Sequence, residues 1–159
     1  RYDKIDFIYN NFIKKKLDIN FKKKILENFS NKIIESIQMA DFISGVKNLL
    51  INLKKNNKKC FIISATPFEE LEKIINFKNL NGFFLKLYGS PKKKIQNYND
   101  LSNEFGISSK KSVYFGDTIN DLKFAKQKNI NFISIGKNLL EYSDDYMLTS
   151  LIDFREIVY

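Results

Sequence analysis

Apolar residues recur every three or four positions through the first forty residues and then gather into short unbroken runs, and this change of rhythm divides the chain. Residues 3 to 15 and about 20 to 38 carry Ile, Phe and Leu at helical spacing and predict two amphipathic helices. After "MADFISG", where Gly45 breaks the pattern, helices and buried strands alternate. The run "VKNLLINLKKN" at 46 to 56 predicts a helix, "CFII" a strand, and "SATPFEELEKII" a turn leading into a helix. Ser64 or Thr66 stands where it would cap that helix, and Pro67 suits its first turn. A second strand, "FFLKLYG", is followed by "SPKKKIQNYNDLSNEFG", a loop and a helix closed by Gly106. Then come the strand "SVYFG", the helix "INDLKFAKQKN" and the strand "NFISIG". "YMLTS" reads as a short fifth strand before a last helix, "LIDFREIV". Gly89, Gly116 and Gly136 each fall at the end of a strand.

Strands alternating with helices predict an α/β fold, an open parallel sheet with helices on both faces. A chain of 159 residues with 43% hydrophobic content has enough apolar material for one domain with a real core. The net charge of +9 raises the question of nucleic acid, but Arg occurs only at Arg1 and Arg155 and the rest of the basic residues are lysines. The lysine runs at 14 to 16 and 22 to 24 lie beside apolar stripes and read as solvated helix faces. No Arg-rich segment or aromatic-basic motif points to nucleic acid, so no nucleic-acid partner is expected. Cys60, the one cysteine, lies in an apolar run and predicts a buried thiol; it excludes a disulfide framework and a cysteine zinc site. Histidine is absent, which removes an imidazole base or metal ligand. No apolar stretch of membrane-spanning length and no signal-peptide pattern occurs, so no membrane contact and a cytoplasmic location are expected. The opening "RYDKIDFIYNNF" has no initiator methionine and a helical pattern already under way, which predicts a piece of a longer protein. "RYDK" itself reads as a solvated helix start.

In open parallel sheets ligands collect at the carboxyl ends of the strands. Three polar clusters fall there: Ser64 after the first strand, "GSPKKK" after the second, and Gly116-Asp117 with Asp121 after the third. Singly, each has a plain structural reading as a helix cap or a solvated charge. Jointly they suit a phosphoryl group, whose spread negative charge calls for donors, a cation and a carboxylate-held metal. Ser64 and the backbone amides after it would donate to phosphate oxygens, a lysine of "PKKK" would neutralise charge, and Asp117 would bind Mg²⁺ through hard oxygen, with Asp121 as second ligand or orienting group.

The ordered trio "FIISATP", "YGSPKKK" and "YFGDTIND" resembles motifs two, three and four of the haloacid dehalogenase superfamily of phosphohydrolases, over residues 45 to 136. The resemblance implies a three-layer Rossmann-like core over 41–159, preceded over 1–40 by part of a helical cap like that of phosphoglycolate-phosphatase-like members. It implies that Ser64 and Ala65 bind the phosphoryl group, that Lys94 stabilises it, that Asp117 ligates Mg²⁺ and that Asp121 supports the metal shell and the catalysis. Lys94 is favoured by its spacing from Pro91, with Lys92 and Lys93 as the alternatives. Motif one, a central strand ending in an Asp-x-Asp pair that supplies the nucleophile, has no counterpart, because no Asp-x-Asp occurs in the chain. Asp3 and Asp6 have the spacing of a helix face instead. The sheet is therefore expected to lack its middle, with residues 60 to 63 and 113 to 115 facing each other across an empty strand position. The function implied is a Mg²⁺-dependent phosphatase acting on a small phosphorylated metabolite through an aspartyl-phosphate. A phosphomutase of the same superfamily and a non-catalytic binding module on the same fold are the alternatives.

Overall fold

The computed structural model describes residues 2–14, 16–136, 139, 148–151 and 153–157. Two helical segments come first. The predicted helix over 3 to 15 is α1 (Tyr2–Ile8) continued by a wider π-helical turn, Tyr9–Ile13, and it stops where Lys14 takes a left-handed conformation at φ 54°. Helix α2 (Ile19–Met39) starts from Asp18, whose carboxylate accepts the Phe21 amide at 2.9 Å and so satisfies one orphan donor of the first turn. Lys22 pairs with Asp6 at 2.6 Å and ties the two segments together.

The α/β part follows the predicted order: α3 (Val46–Lys55), β1 (Phe61–Pro67), α4 (Phe68–Phe77), β2 (Lys86–Ser90), α5 (Lys94–Phe105), β3 (Val113–Gly116), α6 (Ile119–Lys128), β4 (Asn131–Ile135) and β5 (Leu148–Leu151). All the pairings are parallel. The strands form two pieces, β1-β2 and β3-β4-β5, and among the described residues β1 and β3 share no ladder. Right-handed crossovers, the rule for parallel strands, would put α4 on one face and α5 and α6 on the other. Accordingly α4 packs on β1 and β2, while α5 lies on β1 and α6 on β3 and β4. The main core fills the α5–α6 side, where Leu101, Leu122, Ala125, Ile130 and Phe132 are buried with Tyr98 and Phe124. Helix α2 rests against α4, and Lys78 at the end of α4 donates to the carbonyls of Gln38 (3.2 Å) and Ala40 (2.6 Å).

Three expectations are corrected. Among the described residues no α-helix runs through "LIDFREIV": residues 148–151 are strand, and Phe154–Glu156 is one 3₁₀ turn. The Asp153 carboxylate accepts from the Arg155 amide (2.9 Å) and pairs with its guanidinium, which curls the chain too tightly for an α-helix. The turn then docks through Phe154 N–H to the Ser44 carbonyl (3.0 Å), against Gly45. Gly45 has φ +83°, and a Cβ there would lie 2.6 Å from the Arg155 nitrogen, so glycine meets both the conformation and the close approach. Cys60 lies just before β1 and is half-buried rather than enclosed. Burial nevertheless pushes its thiol pKa up. Neither Ser64 nor Thr66 caps α4: the strand continues to Pro67, which takes the cap position without a side-chain bond. Of "YMLTS", residues 146 and 147 lie outside the described residues, as do residues 158 and 159 at the end of the chain.

Candidate active site

The ends of β1 and β3 and the starts of α5 and α6 meet at one rim. Two glycines permit the approach. A Cβ on Gly89 would lie 2.6 Å from the Phe68 Cα and 2.7 Å from the Thr66 carbonyl oxygen, so the end of β2 can press against the turn after β1. A Cβ on Gly116 would lie 2.5 Å from the Asp121 Cβ, so the last residue of β3 leaves the space that the aspartate occupies. The loop after β2 is held by Asn97, buried at 2% exposure, whose amide donates to the carbonyls of Gly89 (3.1 Å) and Lys92 (3.4 Å).

The three lysines of "PKKK" diverge from there. Lys92 turns outward to Asp100 at 2.7 Å, and the Lys93 amide is capped by the Gln96 side chain at 3.1 Å. Lys94, at the first position of α5, points inward and forms an ion pair with Asp121. Its ammonium also donates to the Tyr114 hydroxyl at 3.1 Å.

Asp121 is the hub of this cluster. It lies in the first turn of α6, where the helix dipole favours a carboxylate, and is 5% exposed. Its Oδ1 accepts from Lys94 and from the Tyr114 hydroxyl (2.9 Å), and its Oδ2 from the hydroxyl and amide of Thr118 (3.2 Å for the amide). Burial alone would raise its pKa, but bonds from Lys94 and Thr118, the Lys94 charge and the Tyr114 bond outweigh it and hold the carboxyl below its ordinary 3.8. Burial first, and the Asp121 charge second, push the Tyr114 hydroxyl well above an ordinary phenol, so it stays protonated.

The other expected residues stand near this hub without joining it. Asp117 is exposed, and among the described residues it makes no hydrogen bond or ion pair. The Ser64 hydroxyl is turned into its own loop, accepting the Thr66 amide at 3.1 Å and donating to the Thr66 hydroxyl at 3.0 Å. Ala65 is exposed beside it. The Ile63 carbonyl, one residue before Ser64, lies 3.4 Å from the Tyr114 hydroxyl and links this loop to the hub.

Mg²⁺ needs hard oxygen ligands and is commonly held by one or two carboxylates, with water and substrate phosphate completing the octahedron. Asp117 fits that demand, since its oxygens are open. A carboxylate has about four acceptor sites, and four donors already occupy those of Asp121, so here it serves as the anchor of Lys94. Among the described residues no three acidic or sulfur ligands converge.

Tyr114 and Thr118 stand outside the sequence-derived set. Thr118 carries a legible signal, because a threonine with an acidic residue three positions on is a capping-box pattern, and the structure forms that box. Tyr114 carries none, since a tyrosine within "SVYFG" reads as one more β-forming aromatic.

The ends of the parallel strands thus carry a lysine–carboxylate hub beside an aspartate that makes no bond among the described residues. The family model of the haloacid dehalogenase-like hydrolases matches residues 3–135, and the chain belongs to that family. Among solved structures it is similar to a haloacid dehalogenase superfamily hydrolase from Ehrlichia chaffeensis, with TM-score 0.61 and 20% identity over 98% of this chain and 82% of that one. It is also similar to a β-phosphoglucomutase from Clostridium difficile, with TM-score 0.78 and 16% identity over 100% of this chain and 73% of that one. A predicted phosphoglycolate phosphatase from Haemophilus somnus matches with TM-score 0.68 and 19% identity over 82% of this chain and 60% of that one. At these identities the likeness is one of fold. No curated protein matches the chain.

Proposed function

We propose that this chain carries the lysine, phosphate-binding and metal-binding parts of a Mg²⁺-dependent phosphatase that acts on a small phosphorylated metabolite in the cytoplasm. The observation that supports it best is the Lys94 ammonium, held by Asp121 at the strand ends beside an open Asp117 carboxylate. Asp117 would hold Mg²⁺, which when bound offsets the charge on phosphoryl oxygens. Lys94 presents its remaining N–H to the same oxygens, and the Ser64 hydroxyl and Ala65 amide donate from the other side once Ser64 turns from its loop. Asp121 keeps Lys94 aimed, so its effect on the reaction passes through the lysine. The attacking carboxylate belongs in the open position between β1 and β3, on an extended segment ending in Asp-x-Asp, a pair absent from these residues. It would attack phosphorus, the substrate oxygen would leave with a proton from an acid in that segment, and water would then release phosphate from the aspartyl-phosphate.

Phosphate release from p-nitrophenyl phosphate, with and without Mg²⁺, tests this. The 159-residue chain is expected to be inactive, and a longer protein that includes an Asp-x-Asp strand before Arg1 is expected to turn over with Mg²⁺. In that protein Lys94→Ala and Asp117→Asn should each cost roughly 10² or more in rate, as for loss of one preorganised charge-stabilising group, and Lys92→Ala should cost little. Turnover by the 159-residue chain at the rate of the longer protein would overturn the proposal. So would wild-type kinetics in Lys94→Ala. A phosphomutase is the second candidate, favoured by the likeness to the C. difficile β-phosphoglucomutase. Transfer of the phosphoryl group to a second sugar hydroxyl in preference to water would identify it.

A further inference from the structure

We propose that Tyr114 is a positioning residue that fixes the Lys94 ammonium at the strand ends, through its bonds to both members of the Lys94–Asp121 pair; the proposal rests on the phosphoryl-transfer reading of this rim. Tyr114 has two unlike halves. Its ring belongs to the core, with centroids 5.0 Å from Phe124 and 6.2 Å from Phe132, so the phenol is held by packing from below. Its hydroxyl emerges at the rim, 2.9 Å from Asp121 Oδ1, 3.1 Å from Lys94 Nζ and 3.4 Å from the Ile63 carbonyl. One oxygen thereby touches the end of β1, the start of α5 and the start of α6.

Donor counting gives this contact its consequence. A phenol has one proton to give and lone pairs to receive, and an ammonium has three protons and no lone pair. The hydroxyl proton goes to Asp121, the nearer acceptor, and the oxygen receives from Lys94. Two of the three Lys94 protons are thus committed, to Asp121 and to Tyr114, and among the described residues the third has no partner. With two bonds fixed, the direction of the third is fixed too. A lysine held by its carboxylate alone could swing about that single contact, because its stem is long and flexible. Tyr114 removes that freedom. A displacement of about 1 Å at a charge-stabilising group is enough to cost as much as 10² in rate.

Phenylalanine at 114 keeps the ring in its packing and removes the oxygen. In the 159-residue chain labelled with ¹⁵N at lysine Nζ, the Lys94 ammonium, identified by its loss in Lys94→Met, is expected to exchange slowly with water and to exchange about tenfold faster in Tyr114→Phe. An unchanged exchange rate in the folded variant would overturn the proposal. The unsubstituted chain gives an independent check: the Tyr114 hydroxyl proton should be observable, with a cross-peak to the Lys94 ammonium, and its absence would equally overturn it. In an active longer protein Tyr114→Phe should lower kcat about tenfold with KM within twofold, and an unchanged kcat would refute the positioning role. If no form of the protein hydrolyses phosphate esters, the phosphatase reading falls, while the ammonium measurement still decides whether Tyr114 positions Lys94.

Discussion

Helices α2 and α6 both begin from a capping side chain and both carry apolar residues at helical spacing, yet they end in opposite states. Helix α2 contains no buried residue, and the segment around it exposes Phe12 (73%), Ile19 (83%) and Met39 (88%). Helix α6, half as long, buries Asp121, Leu122, Phe124 and Ala125. The difference is the partner. Helix α6 lies over β3 and β4, whose side chains close around it, whereas α2 touches the remainder of the fold along α4. Amphipathic spacing therefore predicts a helix and its apolar stripe, but burial needs a second surface, and most of the stability that a helix contributes comes from that surface.

The largest test of this contrast is in the core. Leu122 is 2% exposed between α6 and the sheet, and Leu122→Ala should cost about 2–5 kcal/mol through lost contact and a residual cavity. Urea denaturation would measure it, and a loss under ~1 kcal/mol would mean that this core is as loosely held as α2.

A smaller effect is expected at the capped start of α6. The folded pKa of Asp121 lies below its ordinary 3.8, so the native state binds a proton there less readily than the unfolded chain does. The stabilisation is present above the ordinary value and is lost as pH falls through the lowered folded value. As pH falls below about 4 the denaturation midpoint of the wild-type chain should fall more steeply than that of Asp121→Asn, which has no carboxylate to protonate. Parallel curves would show that Asp121 is not held as a paired anion.

The smallest effect belongs to the helical region. Phe12→Ser should change stability by no more than about 0.5 kcal/mol, as is usual for exposed positions. A loss comparable to that of Leu122→Ala, measured in the same urea titration, would remove the distinction between the two regions.

Much of this was legible in the order of residues. Helical spacing, unbroken apolar runs and the strand-ending glycines are local properties, and they located α2 to α6 and β1 to β4 within a few residues. The motif order likewise brought Ser64, the lysine run, Asp117 and Asp121 to the carboxyl ends of consecutive parallel strands, because a right-handed crossover leaves little choice of rim. Beyond that, the outcome depended on contacts between distant segments. Three consecutive lysines are locally equivalent, and Lys94 became the inward one because the first turn of α5 faces α6 while Asn97 ties back the preceding loop. Asp117 and Asp121 are four apart and chemically alike, yet Gly116 opens space for Asp121 alone and leaves Asp117 in solvent. Tyr114 joined the site because packing against Phe124 and Phe132 lifts its hydroxyl to the rim. The expected last helix failed because the Asp153–Arg155 pair and the docking on Gly45 won over a local helical pattern. Local spacing decides which segments form and which ends they present; which side chain meets which is settled by packing between residues far apart in the chain, and no local pattern encodes it.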